Sequence, residues 1–214
     1  MNDEIKNRIM QATVSLPRLG GQGVLVSGGF ILTAAHCIGW SAEGGMALGD
    51  FSIEPFKTRD GKELRASVEA VEPVGDIAVL CAPDDQVLAK DAFAFEDFCG
   101  ATDALRIATE EYELFKRFPI HILTHKAEWT EGTAMLCASR AKVLWVEAPI
   151  EGGTSGGPIV DDGGRLIAIV SNCSGPADGA GPAEGVGANP RPHLALPCWV
   201  WEAICAAQEA DETE

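Results

Sequence analysis

The sequence predicts an all-β chain of two antiparallel strand lobes closed by one C-terminal α-helix. Three observations predict it. Short apolar runs recur between turn residues, 24 Gly and 12 Pro supply many turns, and the strand pattern breaks in only two stretches. With 214 residues the chain is long enough for a single large all-β domain or two small lobes with a real core.

In the first lobe, about 10–83, Ala12–Leu16, Gly23–Val26 and Phe30–Thr33 read as opening strands, with Gly28-Gly29 as the turn before the third. Asp60-Gly61 is a hairpin signal between Phe51–Thr58 and Glu63–Val71, and Asp76 then opens the apolar run Ile77–Leu80. A linker at about 84–117 mixes acids with Leu, Ala and Phe, which predicts one or two short helical turns. The second lobe, about 118–197, offers Pro119–Thr124, Thr133–Cys137, Ala141–Val146, Pro158–Val160 and Leu166–Ser171 as strands. Asp161-Asp162-Gly163-Gly164 lacks the ligand spacing of a calcium loop and reads as a plain turn. Ser174–Pro190 is a Gly-rich loop, and Glu209–Glu214 an acidic tail. Cys198–Ala207, within a closing segment of about 198–208, is an amphipathic helix with Pro197 at its start.

Charge and cysteine usage exclude several classes of function. A net charge of -16 argues against nucleic-acid and anionic-membrane surfaces, which need clustered Lys and Arg. The polar, charged stretch Met1–Met10 is no secretory leader, and no long apolar segment follows it. Seven cysteines without a C-x-x-C pair make neither a disulfide framework nor a zinc motif, so no metal or cofactor is expected. A reduced, cytoplasmic, bacterial-type setting follows as the expectation. His121 and His125 would stand about 13 Å apart on an extended strand, too far to share a metal ion.

Three segments carry chemistry. A serine hydroxyl is a poor nucleophile until a base takes its proton, and histidine is the usual base. In Gly153-Thr154-Ser155-Gly156-Gly157-Pro158 the glycines let the backbone turn tightly and free its amides to face a developing negative charge. Thr33-Ala34-Ala35-His36-Cys37 supplies the histidine, and Asp76, an isolated acid before an apolar run, supplies a third member. These segments, in the order His, Asp, Ser and 40 and 79 residues apart, resemble the chymotrypsin-like (trypsin-fold) serine peptidases, closest in character to bacterial trypsin-like peptidases. The likeness runs from about Met10 to Ala207.

The resemblance implies two six-stranded antiparallel β-barrels with the site in the cleft between them, and a serine endopeptidase acting on protein or peptide substrates. It assigns His36, Asp76 and Ser155 to the triad, and the amides of Gly153 and Ser155 to the oxyanion hole. Ser171, Asn172 and Cys173 match the substrate-pairing strand. Pro149 matches the base of the primary pocket with Ile150 beside it; neither is an acid, so a medium or small apolar side chain is expected there. The departures matter equally. Secreted relatives pair the cysteine after the histidine with an earlier one, yet none precedes Cys37. Zymogen-activated relatives carry an aspartate where Thr154 stands, so activation by N-terminal cleavage is not expected. A protein partner that activates or inhibits through the Gly152–Thr154 loop is an alternative means of restraint.

Two rivals remain in the sequence. Gly153–Gly157 also satisfies G-x-S-x-G, the nucleophile elbow of α/β-hydrolases, but that elbow needs a helix after the serine and would make His193 the base. The other rival is a catalytically silent protein-binding module of the same fold, although no triad residue is substituted. Trp129, Trp145, Trp199 and Trp201 read as core or helix-docking residues, and Asn189 as a turn residue before Pro190.

Overall fold

The structure, a computed structural model, describes residues 1–39, 47–48, 52–72, 75–108, 112–136, 143–171 and 191–194. The expected C-terminal helix, the Ser174–Pro190 loop, Asn172, Cys173, Asn189, Trp199 and Trp201 lie outside those residues.

A helix that the sequence pattern did not predict, α1 (Asp3–Ala12), precedes the first strand. Asn2 caps it by accepting the Ile5 N–H at 2.8 Å, and Asp3 and Glu4 in its first turn complement the helix dipole. Ile5, Ile9 and Ala12 form its apolar face, thinly spread among charged residues.

The first lobe follows as β1 (Thr13–Ser15), β2 (Gln22–Val26), β3 (Phe30–Thr33), a 3₁₀ turn (Ala35–Ile38), β4 (Ala47–Leu48), β5 (Ile53–Lys57), β6 (Glu63–Glu72) and β7 (Ile77–Cys81). The order β6-β5-β1-β2-β3-β7, with β6 also paired to β7, closes a six-stranded antiparallel barrel that carries β4 on the edge of β6. Helix α2 (Asp85–Ala101) then packs against this barrel, with Phe95 and Phe98 set 5.9 and 5.6 Å from the Phe56 ring. It is a 17-residue helix with a break at Leu88, so the expectation of one or two short turns fell short. The aromatic face that Phe95 and Phe98 bury is what stabilises it, beyond local propensity.

The second lobe comprises β8 (Arg117–Leu123), β9 (Trp129–Leu136), β10 (Val143–Glu147), β11 (Pro158–Val160), β12 (Leu166–Ile169) and β13 (Arg191–Leu194), ordered β12-β11-β8-β9-β10-β13. A second closed barrel was expected; among the described residues this sheet is open, because β12 and β13 share no ladder. At Leu166 the free side of β12 is bonded to the linker instead: Leu166 N–H donates to Arg106 at 2.8 Å, and Ala108 N–H donates to Leu166 at 2.9 Å. The same linker bonds the first lobe, where Leu105 and Leu25 meet at 2.9 Å. Residues 105–108 therefore stitch barrel to sheet. The stitched seam is also apolar: Leu123, Val160, Leu166 and Ile169 join the first lobe's buried cluster, while Ile120, Ile122 and Ile159 centre a second one.

Phe56→Ala should cost about 3–5 kcal/mol in urea unfolding, because it leaves a cavity in the buried first cluster and strips α2 of its aromatic partner. Phe93→Ala, at a site 61% exposed, should stay within about 0.5 kcal/mol of wild type.

Candidate active site

The site is built from the end of β3, the start of β7 and the turn entering β11. Where β3 ends, the chain tightens into the 3₁₀ turn that carries His36. Asp76, one residue before β7, holds that turn at three points. Its two carboxylate oxygens accept the His36 backbone N–H at 3.0 Å and face His36 Nδ1 at 2.8 Å, while its carbonyl accepts the Ala35 N–H at 3.1 Å. Asp76 adopts φ +54°, a left-handed conformation that Asp tolerates better than most residues. Arg18 steadies the far end of the turn by donating to the Ile38 carbonyl at 2.7 Å and pairing with the buried Glu54 at 2.8 Å. Burial pushes the Glu54 carboxyl up, against the pull of Arg18.

The Asp76 carboxylate, helped by the Cys37 sulfur and opposed by burial, pushes the His36 pKa up from 6.5 to about 10. Asp76 takes Nδ1 as its partner, which leaves Nε2 as the ring nitrogen able to exchange a proton with another group.

Ser155 is brought to this turn through its backbone. Its carbonyl accepts the Gln22 N–H at 2.7 Å and lies 3.7 Å from the Cys37 sulfur, next in sequence to His36. Cys37 is a buried free thiol. Two glycines allow this approach: a Cβ on Gly21 would stand 2.9 Å from the Ser155 carbonyl, and one on Gly156 would overlap the Gln22 carbonyl. Gly156 N–H donates to Val170 at 2.6 Å and Val170 N–H returns to Gly157 at 2.8 Å, anchoring the other side of the turn to the segment after β12. Strand β11 starts at Pro158, so the helix an α/β-hydrolase elbow needs does not follow Ser155.

The loop before Ser155 is exposed from Glu151 to Gly153, whereas Thr154 is fully buried. Gly153 has φ +89°, and neither its amide nor that of Ser155 donates to a backbone carbonyl among the described residues. Pro149 is exposed, Ile150 packs against the second cluster, and Ser171 is buried just beyond β12. Among the described residues no group of three His, Cys, Asp or Glu side chains could hold a metal ion, and no helix is long and apolar enough to cross a membrane. His121 is buried on β8 with Nε2 2.8 Å from Asp162, and Asp161 accepts from Arg165 at 2.7 Å and Tyr112 at 3.1 Å, so the acidic turn organises itself.

Sequence reasoning missed Gly21 and Gln22, and it weighed His125 as a metal ligand without giving it a place at the site. The only signal for the first two was a Gly-Gly pair before a strand, which marks a turn and says nothing about the surface 134 residues later that it meets. His125 sits in the β8–β9 turn, with its ring against Gly153.

The chain belongs to the trypsin-like peptidase domain family, whose sequence profile matches residues 21–169 and so takes in His36, Asp76 and Ser155. Its fold is that of solved serine-protease structures. An inactive serine-to-alanine mutant of Rv3671c from M. tuberculosis H37Rv superimposes with a TM-score of 0.57 at 18% identity, over 98% of this chain and 90% of that one. The serine endoprotease from Yersinia pestis gives 0.58 at 19% identity, over 94% of this chain and 64% of that one. An uncharacterized protein of Sinorhizobium fredii, y4bJ, is 27% identical over 115 residues, 51% of this chain but only 16% of the relative's length.

Because folding raises the His36 pKa from 6.5 to about 10, the pair's contribution to stability is fully present below pH 6.5 and is lost as pH climbs through 10. The difference in unfolding free energy between wild type and Asp76→Asn should therefore shrink across that window in urea titrations at fixed temperature.

Proposed function

We propose that the chain is a serine endopeptidase that cuts peptide bonds in protein substrates through an acyl-enzyme. The observation that carries this is the meeting of the Asp76-held His36 turn with the Ser155 carbonyl through Cys37 and Gln22. Membership of a peptidase family supports it, as do the amides of Gly153 and Ser155, which donate to no backbone carbonyl among the described residues.

In this mechanism Ser155 Oγ attacks the scissile carbonyl while His36 takes its proton, and Asp76 holds the ring and the positive charge that forms on it. The oxyanion accepts from the Gly153 and Ser155 amides, an interaction worth about 3 kcal/mol per donor. His36 then gives its proton to the leaving amine, and water repeats the sequence on the acyl-enzyme. Substrate lies extended along Ser171, Asn172 and Cys173 by strand addition, with its side chain toward Pro149 and Ile150.

Ser155→Ala should lower turnover about a million-fold and Asp76→Asn about ten-thousand-fold, measured on a cleavable peptide. Only neutral His36 accepts a proton, so kcat/KM should rise with pH on a limb set by the raised His36 pKa, and Asp76→Asn should move that limb downward. The second reading, a catalytically silent binding module, is favoured by the 2.8 Å Asp76 contact to His36 Nδ1, which raises the His36 pKa to about 10 and so disfavours the neutral base at pH 7. Fluorophosphonate labelling at Ser155 decides between them; no labelling at pH 7 or pH 9, alone or with host lysate, would refute the peptidase. A diverse peptide library should return medium or small apolar side chains at the cut site, and a preference for Arg or Lys would remove Pro149 and Ile150 from the pocket.

A further inference from the structure

The loop Glu151–Gly153 is exposed and lies immediately before the buried Thr154; on the peptidase reading it presents the Gly153 and Ser155 amides to one point. A loop with two adjacent glycines has many conformations to lose. Its internal tie is a single backbone bond, from Thr154 N–H to the Glu151 carbonyl at 3.3 Å.

Consecutive residues of the β8–β9 turn meet both ends of this loop. Three ring atoms of His125 (Cγ, Nδ1 and Cδ2) lie 3.3, 3.4 and 3.5 Å from where a Cβ on Gly153 would stand. Distances that even mean the imidazole presents its face, not its edge, to Gly153. Next to it, Lys126 Nζ pairs with Glu151 at 2.5 Å. The turn that carries them is tied to itself: Thr124 N–H donates to Glu128 at 2.9 Å, Ala127 N–H to Thr124 at 2.9 Å, and Glu128 N–H to the Thr124 hydroxyl at 3.2 Å. Ala127 takes φ +63° to close it.

We infer that the β8–β9 turn is a brace for the oxyanion loop, with His125 and Lys126 as positioning residues that hold Gly153 at its left-handed φ so that its amide faces the reacting carbonyl. The inference rests on the peptidase reading for its effect on rate, but not for its effect on the loop. The two contacts divide the work. The ring closes one face of Gly153, where a larger residue would crowd it, and the ion pair fixes the loop's start. An exposed ion pair adds little strength, so its role is to set direction. The brace also answers how an oxyanion loop without a buried aspartate at Thr154 is held: the hold comes from outside the loop, from the turn that follows β8, the strand paired with β11.

The test uses the full chain. His125→Ala should lower kcat about tenfold to a hundredfold with little change in KM, the scale on which small misplacements of reacting groups act. It should also speed amide hydrogen exchange across Gly152–Ser155. His125→Phe, which keeps a flat ring and removes the titratable nitrogens, should restore most of both. Lys126→Glu and Glu151→Lys should each loosen the loop, and the double exchange should tighten it again. Unchanged exchange in His125→Ala, or no recovery in the double exchange, overturns the brace. If the wild-type chain never labels at Ser155, the peptidase reading fails, and the exchange measurements still decide the brace.

Discussion

The Gln22 N–H to Ser155 carbonyl bond is the point on which the site's geometry depends. It joins the first residue of a strand in one lobe to the proposed nucleophile in the other, where Gly21 and Gly156 leave too little room for side chains. Cys37 closes the same junction from the turn that carries His36. A seam this tight restricts relative movement, because packed backbone has few ways to give. The bonds of Leu105 to Leu25, and of Arg106 and Ala108 to Leu166, tie the two lobes at further points.

Within the first lobe, Asp76 trades backbone comfort for contacts. Its left-handed φ is maintained by bonds to Ala35 and to both the main chain and side chain of His36. Strain of this kind persists where surrounding contacts over-determine the conformation. The electrostatic consequence is an imidazole shifted toward its charged form, the form that the proposed general-base step would produce. The same shift disfavours the free base at neutral pH, and both effects follow from the Asp76 contact.

In the second lobe the acidic turn after β11 and the turn after β8 serve different ends. Asp161 spends its carboxylate on Arg165 and Tyr112, which shapes the entry to β12. The β8–β9 turn directs His125 and Lys126 outward onto Glu151 and Gly153. Helix α1 adds a strap of its own, since Ile5 and Ile9 reach Gly164 of the other lobe.

Local pattern made much of this legible. The strands Phe30–Thr33 and Pro158–Val160 coincide with the expected ones, because apolar runs bounded by Gly, Pro and Asp have few other solutions. His36, Asp76 and Ser155 stood out because each sits in a short motif whose neighbours shape the local backbone. The helices were harder to read. α1 hides three apolar residues among charges, and α2 gains its length from Phe56, which is distant in sequence. By itself the sequence determined most of the strands and the family, and it singled out His36, Asp76 and Ser155 as the candidate site; it did not reveal β4 or β13. Tertiary structure alone decided that the second sheet meets the linker at Leu166, that Gly21 must be bare opposite Ser155, and that His125 lies on Gly153. Those are contacts between residues far apart in the chain, and no local periodicity encodes which surfaces will meet.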